Sequence, residues 1–404
     1  MEPTLAGMSQ ASAPEIPVDL SEEQFGVGIP FETFAALRAS QPVYWYEPGH
    51  CWVVTSYEHV EKINRDPQRF SSAGGPIPPD DPGHPELPIM LADDPPVHTV
   101  YRRLVNKDWT PRVIMARGGL VESVVNDVVG AFRDQGSGDF VRDVAGPIPF
   151  RIIATMVGIP TGDAHMLWEW TNTLMPSKDP DYRADPGAPA RAGREIKSYF
   201  GDLLADHRKH PRNDLTSMVL ALEKDGEPLN ERELRDFLAL FLTGGNETTR
   251  HLLAHTAIAL LQHPDQLGRL LSGEVSVAST VEEMLRWSTP VMHHSRWATT
   301  DADIGGAHVR AGDRLTLWMI SANHDERVFA RPDRLDLGRD PNPHITFGGG
   351  GPHFCLGVHL ARMEAAVAIG ALLPVFATMR MDSEPERVWT NFFNGVKRMP
   401  VSLG

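Results

Sequence analysis

The chain has 404 residues, 41% of them hydrophobic, and a formal net charge of −15. That length buries a substantial core in one large domain or two modest ones, and the acidic balance argues against a general nucleic-acid binder. Two cysteines, Cys51 and Cys355, are too few for a disulfide framework and fit a reducing cytoplasm.

Residues 1–20 lack the basic and apolar segments of a secretion signal and read as a flexible tail. A single domain is expected over 21–404, and no stretch approaches the roughly 18 uncharged apolar residues of a membrane span. Residues 43–57, "VYWYEPGHCWVVTSY", read as a hairpin followed by a short helix, with Cys51 as a small buried thiol. Residues 76–96 hold eight prolines, which forbid helix and ladder alike. The apolar run Ile89, Met90, Leu91 inside that stretch points to a loop lining a pocket. Helical periodicity then predicts helices over 112–134 and 194–208, separated by an aromatic segment, "MLWEWTNTLM", and a second proline-broken loop.

The clearest helix is predicted over 231–263. Asn230 and Glu233 have capping-box spacing, Leu234, Phe237, Leu238, Phe241 and Leu242 share a face, and Pro264 ends it. At 1.5 Å per residue it spans about 50 Å, the width of a domain, so it is expected to cross the middle of the fold. Its centre is "LTGGNETTRH". Two adjacent glycines there cost about 1 kcal/mol each relative to alanine. Gly244 and Gly245 therefore mark either close helix–helix packing or a bulge that admits a small ligand. The second reading presents Glu247 and Thr248, an acid beside an alcohol, as a proton relay. Short strands are expected in "HSRWATTDADIGGAHVRAGDRLTLWM". Helix dominates, β structure is minor, and nothing alternates as a Rossmann sheet would.

Two further patterns place charge. Glu283 and Arg286 lie at i, i+3 in "TVEEMLRWSTP", either as a surface pair beside a Thr280–Glu283 capping box or as a buried cluster that recruits Arg334 from a proline-fixed loop. His98 and Arg102 share a helix face in "DDPPVHTVYRRLV" and form a candidate anion site, with Arg296 and His353 as further anion ligands. The stretch "FGGGGPHFCLG" lacks the lysine and hydroxyl of a phosphate loop and the partner ligands of a zinc site. A cysteine nucleophile with His353 as base stays open, without an oxyanion site around it. Residues 356–373 predict a helix that puts Cys355 at its N-terminus, where free N–H groups and the dipole favour a thiolate. Gly357 lets a flat ligand approach the backbone. A thiolate under a bulky apolar roof suits an axial heme ligand.

At this point the chain resembles a bacterial cytochrome P450, a heme-thiolate monooxygenase, over nearly its whole length. The motifs that carry the resemblance are "FGGGGPHFCLG", "GGNETT" and "EEMLR", in that family's order. The resemblance implies the P450 fold, with heme b (iron protoporphyrin IX) held between the long helix and the cysteine loop. Cys355 is then the iron ligand, and His98, Arg102, Arg296 and His353 hold the propionates beside Phe347, Gly348 and Gly357. Glu247 and Thr248 become the acid and alcohol of the relay, while Glu283, Arg286 and Arg334 form a structural cluster. Phe347 and Cys355 are eight positions apart, one more than the common family loop, which resembles members acting on steroids, terpenoids or branched-chain lipids. A pocket is expected from Met90, Leu91, Leu174, Met175, Leu240, Gly244, Val291, Met292, Phe392 and Phe393, for a lipophilic substrate.

The activity implied is hydroxylation with O2 and two electrons from a ferredoxin and its reductase, the ferredoxin docking on Arg103, Lys107, Arg112 and Arg362. Two alternatives stand beside it. A peroxide-driven peroxygenase tends to lack the acid–alcohol pair, and a heme-based sensor without turnover has no need of it.

Overall fold

The structure is a computed structural model that describes residues 18–76, 88–174, 178–183, 185 and 187–404. Most of the tail expected over 1–20 falls outside them. The chain is mainly helical with minor sheets. Helices α1 (Glu22–Val27) and α2 (Phe31–Ser40) lead into the expected hairpin, β1 (Val43–Tyr46) and β2 (Cys51–Val54), in which Cys51 is buried. After α3 (Tyr57–Asn64), β3 (Phe70–Ser71) and the proline-rich stretch comes α4 (Val97–Asn106). The single helix expected over 112–134 is two, α5 (Pro111–Met115) and α6 (Gly118–Gln135). Pro111 opens the first, where its missing N–H costs nothing. Gly118 and Gly119 open the second, so that neither weakens a helix interior.

The strand β4 (Ser137–Asp139) precedes α7 (Pro147–Val157), α8 (Ala164–Thr173) and α9 (Pro180–Arg183). Next comes α10 (Ala188–Lys209), which starts earlier than 194 because Pro189 fits its first turn. After α11 (Leu215–Leu220) and the hairpin β5 (Glu223–Lys224) and β6 (Glu227–Pro228), α12 runs unbroken over Glu231–Gln262. Its capping box is complete: the Asn230 side chain accepts from Glu233 N–H (3.0 Å) and Glu233 accepts from Asn230 N–H (2.8 Å). The bulge expected at its glycines is absent. α12 is buried along most of its length and packs on α7 and α10.

The chain continues through α13 (Pro264–Leu271), α14 (Val277–Ser288), β7 (His293–Ala298), β8 (Ala302–Ile304), β9 (Ala307–Val309), β10 (Arg314–Trp318), α15 (Met319–Ala322), α16 (Val358–Phe376), β11 (Met379–Met381), β12 (Glu386–Arg387), β13 (Val396–Arg398) and β14 (Pro400–Leu403). One five-stranded sheet has the order β1-β2-β10-β7-β3, and only its β2–β10 pair is parallel. The main core lies among α6, α7, α12 and α16, and a second packs Phe25, Phe34 and Trp318 between the sheet and the first two helices. Over an 18-residue window α16 has a mean hydropathy of 1.5, enough by composition to cross a membrane. It nevertheless carries Arg362 and Glu364 and packs against α6, α12 and α14.

Candidate active site

Four consecutive glycines shape the cysteine loop. Gly348, Gly349, Gly350 and Gly351 have φ of 103°, 65°, 103° and 78°, a left-handed run open to glycine alone. A side chain at Gly351 would lie 2.0 Å from the Asn64 carbonyl oxygen, so the loop presses directly on the end of α3. Cys355 N–H donates to the Phe347 carbonyl (3.0 Å), which closes the loop and leaves Cys355 half-buried just before α16. Burial pushes its thiol pKa up; the Gly357 N–H, Arg102 and Arg362 pull the other way and favour a thiolate.

Beside the loop the structure brings together His98, Arg102, Arg296 and His353. The two imidazoles pack at a tilt of 40° with centroids 4.2 Å apart. Arg102 is on α4, one turn after His98, and its guanidinium donates to the Phe354 carbonyl (2.7 Å). Arg296 comes from β7 and donates to the Ser295 carbonyl at 2.7 Å. Burial, reinforced by Arg296 and His98, holds His353 down at about 3, and burial lowers Arg296 to about 10. Arg102 and Arg296 add to the suppression of both imidazoles, and Asp93 and Asp94 act against it at His98.

Glu283 and Arg286 are fully buried and joined by two bonds of 2.8 Å. Arg286 also donates to the carbonyls of Asn323 and Pro332, both at 3.0 Å. The third member is Arg339, not Arg334: Arg339 Nε meets Glu283 Oε2 at 3.0 Å. Arg334 is exposed and contributes its backbone carbonyl, which accepts from Arg339 (2.9 Å). Both arginines lie in the same loop, and sequence spacing does not say which one turns inward.

On α12 the two glycines divide the two readings between them. A side chain at Gly245 would touch Ile153 at 3.2 Å, so this position serves close packing on α7. One at Gly244 would meet nothing within 4 Å, although the position is mid-helix. Thr248 turns its hydroxyl onto the Gly244 carbonyl (3.3 Å). Glu247 is buried and pairs with Arg250, while its other oxygen accepts from Asn246 (3.1 Å). Burial raises its carboxyl pKa, and Arg250 opposes the shift. Arg250 in turn donates to the Asn172 side chain on α8 at 2.7 Å.

The cytochrome P450 family model matches residues 277–397. The chain is 36% identical to a methyl-branched lipid omega-hydroxylase of Mycobacterium tuberculosis, over 91% of this chain and 90% of that one. It is 32% identical to a steroid C26-monooxygenase of Rhodococcus jostii, over 92% and 82%. Among solved structures, Mycobacterium marinum cytochrome P450 CYP268A2 in complex with pseudoionone matches with a TM-score of 0.89 and 32% identity, covering 97% of this chain and 100% of that one. The chain belongs to the cytochrome P450 family. This P450 is accordingly an oxidoreductase of the monooxygenase type, in a family that carries heme.

The residues present fit that group. His98 Nδ1 and His353 Nε2 are buried without a hydrogen-bond partner among the described residues, and two arginines stand beside them. A group with two carboxylates answers both the unpaired nitrogens and the surplus positive charge. Gly357 leaves the sulfur side open, with nothing nearer to its missing side chain than Trp109 at 4.0 Å.

The pocket candidates separate into two sets. Leu91, Leu174, Leu240, Val291 and Phe393 are half-buried, and the backbones of Val291 and Phe393 are bridged. Met90 and Met292 close into the cores instead. Met90 is buried in the main one, and Met292 packs with Phe25 and Trp318, because alternate residues of an extended chain point opposite ways. Phe392 is buried and turns toward His293, with ring centroids 5.8 Å apart. Met175 lies outside the described residues.

Several neighbours escaped the sequence reading. Asn64 presses on the glycine loop, accepts from His294 (2.7 Å) and lies 3.5 Å from Arg296. Trp109 keeps a buried Nε1 without a partner among the described residues, and Glu364 on α16 bonds to Thr249 beside the acid–alcohol pair. None belongs to a spaced motif, and only the fold brings them in.

Proposed function

We propose that this P450 hydroxylates a lipophilic small molecule of the steroid, terpenoid or branched-lipid type, using O2 and electrons from a ferredoxin and its reductase in the cytoplasm. Cys355 would be the iron ligand of heme b, and His98, Arg102, Arg296 and His353 would hold its propionates. When bound, heme would supply the redox and O2 chemistry. The protein's part is to set the Gly357 N–H, Arg102 and Arg362 beside Cys355, where they favour its thiolate against burial, to exclude water with the half-buried apolar set, and to move protons. Glu247 exchanges protons with the interior, and Thr248 offers its hydroxyl where Gly244 leaves α12 bare.

The observation that carries this reading is the pairing, in one fold, of a half-buried cysteine at a helix start with an acid–alcohol pair beside an open mid-helix glycine. The half-buried apolar residues Leu91, Leu174, Leu240, Val291 and Phe393, and two relatives named for branched lipids and steroids, support the substrate class. The exposed cations Arg103, Lys107 and Arg112 support ferredoxin docking. Arg362 leaves that group, since Glu282 binds it at 2.7 and 2.8 Å.

The test is turnover of the holoenzyme with a surrogate ferredoxin, its reductase and a panel of steroids, terpenoids and branched fatty acids. A hydroxylated product that appears only with O2 and reduced ferredoxin supports the reading. Turnover driven by peroxide alone, or substrate binding without product across the panel, overturns it.

A further inference from the structure

Beside Arg250 and Asn246, Glu247 has a third donor group close by, one with no other partner among the described residues. His251 lies one turn after it on α12 and is fully buried. Its Nδ1 accepts from the Val396 N–H of β13 at 3.3 Å. A ring nitrogen that accepts carries no proton, so in the neutral ring the hydrogen sits on Nε2. That Nε2 is buried, has no hydrogen-bond partner among the described residues, and faces Glu247 Oε2 at 3.7 Å.

We propose that His251 is a positioning residue for Glu247, with its one ring hydrogen fixed on Nε2 and reserved for that carboxylate. The proposal rests on the reading of Glu247 as the relay acid. The surroundings of His251 favour the role. Arg250 and His255 face it from its own helix and Arg387 from β12, with the Phe393 ring 6.0 Å away and its Cε1 3.6 Å from where a side chain at Gly395 would begin. Burial, then Arg250, His255 and Arg387, hold its pKa well below the usual histidine value. A second proton would also break the bond from Val396. His251 therefore ferries no proton itself. Its Nε2–H, 3.7 Å from Oε2, stabilises the charged form of Glu247 electrostatically against burial. β13 fixes the imidazole and α8 fixes Arg250, so these two groups beside the acid are set by different elements packed on α12.

The experiment uses the reduced, carbon monoxide-bound holoenzyme. Isotope-edited infrared spectroscopy follows the Glu247 carboxyl, assigned by its loss in Glu247→Gln, through a pH titration. In His251→Phe the midpoint should rise by about one pH unit, because a donor to the charged form is lost. In His251→Gln it should stay near the wild-type value, since the amide accepts from Val396 and donates to Glu247. Long-range 1H–15N NMR should find a neutral Nε2–H ring over about pH 5 to 8. A midpoint unchanged in His251→Phe, or an Nδ1–H ring, overturns the proposal. Failure of the relay reading is seen separately, as unchanged coupling of electrons to product in Glu247→Gln, whatever the infrared midpoint shows.

Discussion

Two glutamate–arginine pairs at i, i+3 lie buried in this protein, and they are built to opposite ends. Every side-chain polar atom of Glu283 and Arg286 on α14 is answered, by each other and by Arg339, Asn342, the Asp336 N–H and two carbonyls, and among the described residues only Asn342 Oδ1 beside them is buried and unanswered. On α12, among the described residues, Arg250 Nε within the pair and His251 Nε2 and Asn246 Oδ1 beside it are buried and unanswered. A fully satisfied pair in a low-dielectric interior has nothing to gain by moving. One with spare donors holds its acid in a shallower well, which suits a group that must exchange a proton. Identical spacing and similar burial thus yield a clamp in one place and a working acid in the other, and the difference lies in which loops and strands reach each pair.

The largest effect is expected where satisfaction is complete. Glu283→Ala leaves Arg286 and Arg339 buried without their anion and should cost about 3–5 kcal/mol in urea unfolding, a large share of the stability of a typical domain. Arg339→Ala should approach that loss. Arg334→Ala should change stability by less than about 0.5 kcal/mol, as for a surface substitution. Equal losses in the two arginine variants would break the assignment of Arg339.

The second pair should respond in function before stability. Glu247→Gln should slow product formation by about 100-fold, the usual scale of general acid–base help, while the urea midpoint moves little. Thr248→Ala should keep oxygen consumption and divert it from product. Coupling equal to wild type in Thr248→Ala would refute the relay and leave Glu247 as a second structural acid.

The smallest effect concerns a neighbour of that pair. Burial holds the Glu364 carboxyl well above its ordinary pKa, against the Thr249 hydroxyl. The native chain keeps this proton after the unfolded chain has released it. The contribution to stability is therefore full below the ordinary glutamate pKa and is lost as pH rises through the native value. Glu364→Gln should flatten the decline in urea midpoint between about pH 5 and pH 8, by an amount that scales with the shift. An unchanged slope would place the charge compensation elsewhere.

Much of this was legible from residues alone, and the gaps have physical reasons. The capped helix α12, the hairpin around Cys51 and the helix after Cys355 follow from periodicity, capping and turn residues acting over a few positions. Each member of the four-residue basic cluster stands out by its own local spacing, and the structure brings the four together. What local pattern does not encode is which way a loop side chain turns, and Arg334 was named where Arg339 enters. It also hides distant partners. His251 reads as one more polar residue after "NETTR" until β13 arrives to fix its tautomer. Asn64 carries no signal before the glycine loop is pressed onto it. Met292 was assigned to the pocket by proximity to Val291, although adjacent residues of an extended segment face different cores.

The central claim, that Cys355 is a thiolate ligand to heme in a monooxygenase, is tested most directly by the carbon monoxide difference spectrum of the reduced protein, taken beside Cys355→Ala. Wild-type protein should show a thiolate-type Soret band, and the variant should lose it while remaining folded. A histidine-type band in well-folded wild-type protein, no bound heme, or a thiolate band that survives in Cys355→Ala would contradict the account.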